Sequence, residues 1–220
     1  MGPVARAALV FAAFPVVAGA VIFTAAGRFD LPTVWAVLLS LVAFAIGLYF
    51  VIDPALVRER LAPGPGNRDR VTRAVAMPLV LGHWILAGLD VGRFHWSVIP
   101  LWIAMAGAAG YAGCLGVLLW AVVANRFYSS VVRIQEDRGH QVVSTGPYRF
   151  VRHPGYAASI AGALTGGVAL GSWVALLPIA AFAGLFVRRT LIEDRMLRES
   201  LAGYDEYARR VRRRLLPGVF

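Results

Sequence analysis

The segment of residues 146–156 brings together several side chains that can do chemistry; its sequence is Gly-Pro-Tyr-Arg-Phe-Val-Arg-His-Pro-Gly-Tyr. Pro147 and Pro154 restrict its backbone, and Pro154 stands where a membrane helix is predicted to begin, a position that favours proline. Four aromatic or imidazole rings and two arginines therefore lie beside the free N–H groups of a helix start. This set suits a ligand that carries an adenosine, although a positively charged stop at a membrane face has the same composition.

Other kinds of chemistry find no support in the sequence. Cys114 is the one cysteine, which excludes a disulfide within the chain. No serine stands in a nucleophile elbow, and no glycine-rich loop ends in Gly-Lys-Ser/Thr. The sequence predicts no metal site, because no ligand spacing relates its histidines, which are His83, His95, His140 and His153.

The rest of the chain has the composition of a membrane protein, with 59% hydrophobic and 15% charged residues. Uncharged stretches cover residues 7–26, 31–52, 74–89, 97–125 and 154–187. A bilayer core needs about 20 helical residues, so the last stretch is too long for one span, and Gly171-Ser172 near its middle predicts a hairpin of two short helices. The predicted fold is an all-α polytopic transmembrane bundle of about six membrane helices in one domain, residues 1–220.

Arginine placement predicts the orientation of this bundle. All 22 basic residues are arginine, and the net charge is +10. The first and third loops hold Arg28 and Arg93, whereas the second loop (residues 53–73) and the fourth loop (residues 126–153) each hold five arginines. The positive-inside rule places both termini and these two loops in the cytoplasm. Anionic lipids then account for the basic charge, and no nucleic-acid partner is predicted.

Two further patterns concern packing and the ends of helices. Beyond Val187, apolar residues recur at steps of four and three, which predicts a cytoplasmic amphipathic C-terminal helix, interrupted at Gly203 and lying on the membrane surface; they are Leu197, Leu201, Tyr204, Ala208, Val211 and Leu215. Within the spans, His83 is expected to bond to a neighbouring helix. A glycine at every third position predicts close helix packing; these are Gly107, Gly110, Gly113 and Gly116.

Residues 146–156, together with a later acidic pair, resemble the isoprenylcysteine carboxyl methyltransferase and phospholipid methyltransferase family. The acidic pair, in Ile192-Glu193-Asp194, is followed by Leu197, Tyr204, Tyr207, Arg213 and Pro217. The resemblance covers roughly residues 97–220, while residues 1–96 match as hydrophobic helices alone. In that family an Arg-His-Pro-x-Tyr element and a Glu-Glu pair form the S-adenosylmethionine pocket, and Asp194 departs from the pair by one methylene.

The resemblance implies S-adenosylmethionine as cofactor and assigns roles in residues 97–220. The residues expected to contact the cofactor are Tyr148, His153, Tyr156, Glu193 and Asp194. Arg149 or Arg152 is expected to hold a substrate anion or the cofactor carboxylate. Asn125, at the end of the fourth span, either orients the acceptor or caps its helix.

The expected acceptor is an amphiphilic lipid whose tail enters from the bilayer and whose head meets the cofactor on the cytoplasmic side. A carboxylate acceptor is favoured, because methyl transfer then neutralises an anion and a sulfonium without a general base. An amine acceptor stays open and needs a group that takes its proton. The arginine-only, alanine-rich composition suggests a bacterial inner membrane.

Two other functions remain open from the sequence. Membrane sterol reductases use NADPH and carry a similar Arg-His-Pro-x-Tyr element, but typically with asparagine where this chain has Gly155. A non-catalytic membrane scaffold is the second alternative, and it predicts that changes at His153 or Glu193 leave function intact.

Overall fold

A computed structural model describes residues 3–216 of the chain, with side chains from residue 9 onward. Pro217, part of the family resemblance, lies outside the described residues. The described chain is helical and contains no strand. Its α-helices are α1 (Pro3–Ala26), α2 (Pro32–Val51), α3 (Pro54–Leu61), α4 (Arg70–Leu89), α5 (Leu101–Ala124), α6 (Pro154–Ala169), α7 (Leu176–Ser200) and α8 (Tyr204–Arg210).

Four helical segments are long and apolar enough to cross a membrane; they are Leu9–Ala26, Pro32–Val51, Arg70–Phe94 and Leu101–Ala124. The predicted helical membrane bundle is thereby confirmed. The predicted hairpin is also present, because α6 and α7 are joined by a turn in which Gly171 has a φ of +83°. At 16 residues, α6 is shorter than a full span. In contrast to the prediction, α7 does not end near Val187 but continues to Ser200.

Local sequence explains where the helices begin. Proline occupies the first turn of α2, α3 and α6, where its missing N–H and fixed φ are tolerated. The side chain of Asp53 caps α3 by accepting a hydrogen bond from the backbone N–H of Ala55 at 2.7 Å. Asp69 caps α4 in the same manner, accepting from the N–H of Thr72 at 3.2 Å.

The membrane helices pack around one apolar core, with α5 lying along α6. Residues buried in this core come from every membrane helix except α7, and they include Ile22, Val34, Leu41, Trp84, Ala108 and Ala169. The expectation for His83 is confirmed, since its Nδ1 lies 2.9 Å from the carbonyl oxygen of Ala175 in the α6–α7 turn. Asp90, one residue beyond the uncharged stretch, is buried and accepts hydrogen bonds from the hydroxyls of Ser97 and Ser172.

The glycines of α5 divide into two pairs. A Cβ on Gly107 would lie 2.8 Å from the backbone nitrogen of Ala169, and one on Gly110 would lie 3.1 Å from Thr165 Cγ2, so both glycines pack against α6 as predicted. A Cβ on Gly113 or Gly116 would meet no described atom within 4 Å. For this second pair, the prediction of close helix packing is wrong within the described chain.

Gly88 of α4 shows how tightly the N-terminal helices pack. A Cβ at this position would lie 2.5 Å from the carbonyl oxygen of Ile22 and 2.8 Å from Ala25 Cβ, both in α1. We expect Gly88→Ala to lower the free energy of unfolding by about 1–3 kcal/mol, because α1 must move away. Gly113→Ala is the matched control and should unfold no earlier than wild type. Thermal unfolding of the purified protein in detergent measures both, and equal melting temperatures would contradict this packing.

The apolar stripe of the C-terminal helices is buried inside the protein. Leu197, Tyr204 and Tyr207 are buried together with Val132 of the fourth loop, and Val142 packs beside them. The expectation that this face rests on the membrane surface is therefore wrong, since protein covers it. The predicted interruption is confirmed, because Gly203 has a φ of +81° and α8 begins immediately after it.

Candidate active site

The fourth loop, the start of α6 and the α7–α8 segment surround a cavity that opens to solvent. The structure brings six of the eight predicted site residues to its wall; they are Asn125, Tyr148, Arg152, His153, Tyr156 and Glu193. The other two, Arg149 and Asp194, do not line it.

Tyr156 and Glu193 form the centre of the wall. The hydroxyl of Tyr156 donates a hydrogen bond to Glu193 Oε2 at 2.5 Å. The ring of His153 lies parallel to that of Tyr156, with 5.7 Å between the centroids and 4° between the planes. Nε2 of His153 is buried and lies 3.5 Å from Oδ1 of Asp194, so this nitrogen faces a carboxylate of the protein.

Arg189 completes this group, although sequence reasoning missed it. Its Nε donates to the hydroxyl of Tyr156 at 2.8 Å, and its side chain is buried. Arg189 precedes Glu193 by four residues, so the two side chains share one face of α7. That spacing was the available signal, but the prediction beyond Val187 used the apolar stripe, which does not include Arg189.

Asp194 anchors the C-terminal segment beneath the cavity. Arg152 donates to its two oxygens from Nε at 2.7 Å and from Nη2 at 3.1 Å, and the hydroxyl of Tyr204 donates at 3.0 Å. Arg214, near the end of the described residues, donates from Nε to Oδ2 of Asp194 at 3.0 Å. Burial alone raises the pKa of a carboxyl group, but His153 and Arg152 hold the pKa of Asp194 well below its usual range. Contrary to the predicted cofactor contact, this carboxylate is satisfied by protein.

Arg149 and Arg152, the two arginines predicted to bind an anion, make other contacts. Besides binding Asp194, Arg152 donates from Nη1 to the carbonyl oxygen of Val211 at 2.7 Å. The side chain of Arg149 is exposed, and its guanidinium lies 4.7 Å from the ring centroid of Phe150, outside the cavity. The structure therefore brings neither guanidinium into the cavity as an unpaired cation.

Asn125 follows the last residue of α5 and also reaches the cavity. Its Oδ1 accepts from the backbone N–H of Phe127 at 2.8 Å, which stabilises the turn after α5 and does not satisfy the free carbonyl groups of the helix. Its Nδ2 donates to the hydroxyl of Tyr148 at 3.1 Å. Tyr148 is held from the other side, because the hydroxyl of Tyr207 donates to its carbonyl oxygen at 2.6 Å. The rings of this wall are thus fixed before any ligand binds.

His140 is a lining residue to which sequence reasoning gave no role. Its Nδ1 accepts from the backbone N–H of Gln135 at 3.2 Å, which leaves the proton of the neutral ring on Nε2. Burial lowers the pKa of His140, so the ring is neutral at pH 7. The cavity wall therefore contains a neutral imidazole whose Nε2–H is a hydrogen-bond donor.

The second loop braces the fourth loop behind the cavity. Glu59 of α3 accepts from Arg133 at 2.7 Å and 3.0 Å and from the hydroxyl of Ser129 at 2.7 Å. Asp137 pairs with the same guanidinium at 2.8 Å, so Glu59 and Asp137 both have an ion-pair partner. Glu193, in contrast, makes no ion pair within 4 Å among the residues described. The cavity thus presents one carboxylate that can bind a cationic group or hydroxyl donors.

Residues 111–199 match the model of the isoprenylcysteine carboxyl methyltransferase family. A cobalt-zinc-cadmium resistance protein, CzcN of Cupriavidus metallidurans, is 31% identical over 168 residues, which are 74% of this chain and 67% of that protein. The chain belongs to the isoprenylcysteine carboxyl methyltransferase family, as the resemblance indicated. A nickel-cobalt-cadmium resistance protein, NccN of Alcaligenes xylosoxydans, is 29% identical over 154 residues, 68% of this chain and 67% of that protein.

Proposed function

We propose that this integral membrane protein transfers a methyl group from S-adenosylmethionine to an amphiphilic acceptor in the bilayer. The observation that carries the proposal is the convergence of His153, Tyr156 and Glu193 on one cavity. These residues come from two separate parts of the family motif, and the fold brings them together. We further infer that the cavity faces the cytoplasm, because the arginine-rich fourth loop lines it and the arginine-rich second loop packs against that loop.

The donor set fits the functional groups of this cofactor. Glu193 suits an ammonium or the two hydroxyls of a ribose, since carboxylates form the stronger hydrogen bonds. The stacked rings of His153 and Tyr156, together with the ring of Tyr148, suit the adenosine or amino-acid end. When bound, the cofactor supplies an electrophilic methyl group. The chain's own residues bind it, orient it and exclude water.

The acceptor is proposed to be a lipid-like molecule with a polar head. The cavity is bounded by the end of α5 and the start of α6, so it lies where membrane helix changes to loop. When the head group of such an acceptor binds in the cavity, its apolar tail lies among the membrane helices. A carboxylate head needs no general base, whereas an amine head releases a proton that a nearby carboxylate or water must accept.

Position 155 favours the methyltransferase over the reductase alternative. A Cβ on Gly155 would lie 2.5 Å from Tyr128 Oη and 2.6 Å from Tyr128 Cε2. Tyr128 itself lines the cavity and packs on this glycine. The asparagine typical of the reductases therefore has no room here while Tyr128 stays in place.

Methyl transfer is tested with radiolabelled S-adenosylmethionine, the protein in proteoliposomes and a bacterial lipid extract. We expect label in the lipid fraction with wild type and a loss of at least tenfold with His153→Ala. Label released as methanol by mild alkali identifies a carboxyl ester, and alkali-stable label identifies a methylated amine. Absence of label from every lipid fraction, with wild type that binds the cofactor, would contradict a lipid acceptor.

The names of the two relatives suggest a physiological test. Both are called metal resistance proteins. We propose that any contribution of this chain to metal tolerance depends on methylation by the site described above. Bacteria expressing wild type should then grow better in cadmium or cobalt than bacteria expressing Glu193→Gln at the same level. Equal growth of the two strains would mean that the site does not contribute to metal tolerance.

A further inference from the structure

Asp69 belongs to the second loop, in the half of the chain that carries none of the family motif. Its side chain is fully buried, and Oδ1 accepts both the capping hydrogen bond from Thr72 and a hydrogen bond from Arg188 Nη1 at 2.9 Å. Oδ2 lies 3.8 Å from Nη1 of Arg189. The second loop is thereby joined to α7 by a carboxylate between two neighbouring arginines.

Arg189 carries this connection to the cavity wall. While its Nη1 faces Asp69, its Nε donates to the hydroxyl of Tyr156 and its Nη2 donates to the carbonyl oxygen of Ser130 at 3.1 Å. The Tyr156 hydroxyl uses its own proton to bind Glu193. The guanidinium thus makes two hydrogen bonds and faces the charge of Asp69 on its third side, and it donates to the oxygen from which Tyr156 itself donates to Glu193.

Burial makes the carboxylate of Asp69 effective in this role. Burial raises the pKa of an isolated carboxyl group, but the hydrogen bonds from Thr72 and Arg188 and the charge of Arg189 keep the pKa of Asp69 below its usual value. The group therefore stays ionised at neutral pH. Its attraction for Arg189 is little screened, because both side chains are buried.

We propose that Asp69 is a positioning residue of the cavity, holding Arg189 so that Tyr156 presents Glu193 to the ligand. The identity of that ligand rests on the proposed function, whereas the positioning itself is a property of the chain without ligand. None of the described residues of the N-terminal half lines the cavity, and that half then supports the site through Asp69 as well as through Glu59.

The experiment separates positioning from the capping role of Asp69. Asparagine caps a helix as well as aspartate does, so Asp69→Asn retains the cap and removes the charge. We expect about a tenfold loss of S-adenosylmethionine affinity in calorimetry. In a Tyr156→Phe background, the same change should have no further effect, because the hydroxyl that Arg189 positions is gone. An equal loss in both backgrounds would overturn the proposal.

A second measurement needs no cofactor. Hydrogen exchange of the ligand-free protein in nanodiscs should be faster for peptides covering residues 189–194 in Asp69→Asn, and unchanged in α5. The matched control is Asp53→Asn, which likewise removes the charge of a capping aspartate on the same loop and keeps the cap; Asp53 makes no ion pair in the described part of the chain. If wild type binds no S-adenosylmethionine, the proposed function fails, and the exchange rates alone decide the role of Asp69. Unchanged exchange overturns it.

Discussion

Glu193→Gln is expected to weaken S-adenosylmethionine binding about a hundredfold. Among the ionised side chains at the cavity wall, this carboxylate has a hydrogen bond from Tyr156 but no ion pair within the described chain. A hydrogen bond to a charged group contributes about 1.5–3 kcal/mol, and about 1.4 kcal/mol corresponds to tenfold in affinity. Titration calorimetry of the detergent-purified variant measures the change.

Glu199→Gln is the matched control for this change. Glu199 lies on the same helix, but its side chain is 56% exposed and faces Arg68 at 3.6 Å, away from the cavity. Its replacement should leave the affinity within about twofold of wild type, because exposed ion pairs contribute little. Equal losses in the two variants would mean that general charge, and not the carboxylate of Glu193, attracts the ligand.

Asp194→Ala should lower the free energy of unfolding by about 3–5 kcal/mol, the usual result of removing one partner of a buried ion pair. Asp194 is 2% exposed, and its loss leaves the buried guanidinium of Arg152 without a counter-charge. The bonds from Tyr204 and Arg214 that hold the C-terminal segment are lost as well. Thermal unfolding in detergent tests this, with Asp205→Ala as the control, since Asp205 pairs with Arg198 at the surface.

The pH dependence of stability has a definite sign. The folded-state pKa of Asp194 lies below the value in an unfolded chain, which is about 3.9. Its ion pairs therefore stabilise the fold fully above about pH 4, and this contribution is lost as pH falls towards the folded-state pKa. Wild type should lose stability on acidification below pH 4 more steeply than Asp194→Asn. Parallel acid profiles would contradict the role of Asp194 as an ionised anchor.

Most of the fold could be predicted from the sequence, because long uncharged stretches have few stable alternatives in a membrane. The hairpin followed from a stretch too long for one span and from Gly171-Ser172 within it. The prediction that the C-terminal apolar stripe lies on the membrane surface was wrong for a physical reason. An amphipathic pattern shows that one face is apolar, but lipid and a protein loop containing Val132 cover such a face equally well.

The acidic pair shows the limit of motif reasoning at the site. Successive residues of a helix point about 100° apart, so Glu193 and Asp194 cannot both face the cavity in the same way. In the structure Glu193 lines the cavity, whereas Asp194 forms an ion pair with Arg152. Asp69 escaped prediction because its partner Arg188 lies 119 residues away along the chain, and no local pattern encodes such a contact.

The central claim is that the cavity binds S-adenosylmethionine, and calorimetric titration of the purified protein with S-adenosylmethionine and, separately, with NADPH tests it most directly. We predict saturable binding of S-adenosylmethionine at one site, no binding of NADPH, and weaker binding of S-adenosylmethionine by His153→Ala. Saturable binding of NADPH alone, or of neither compound, would contradict it.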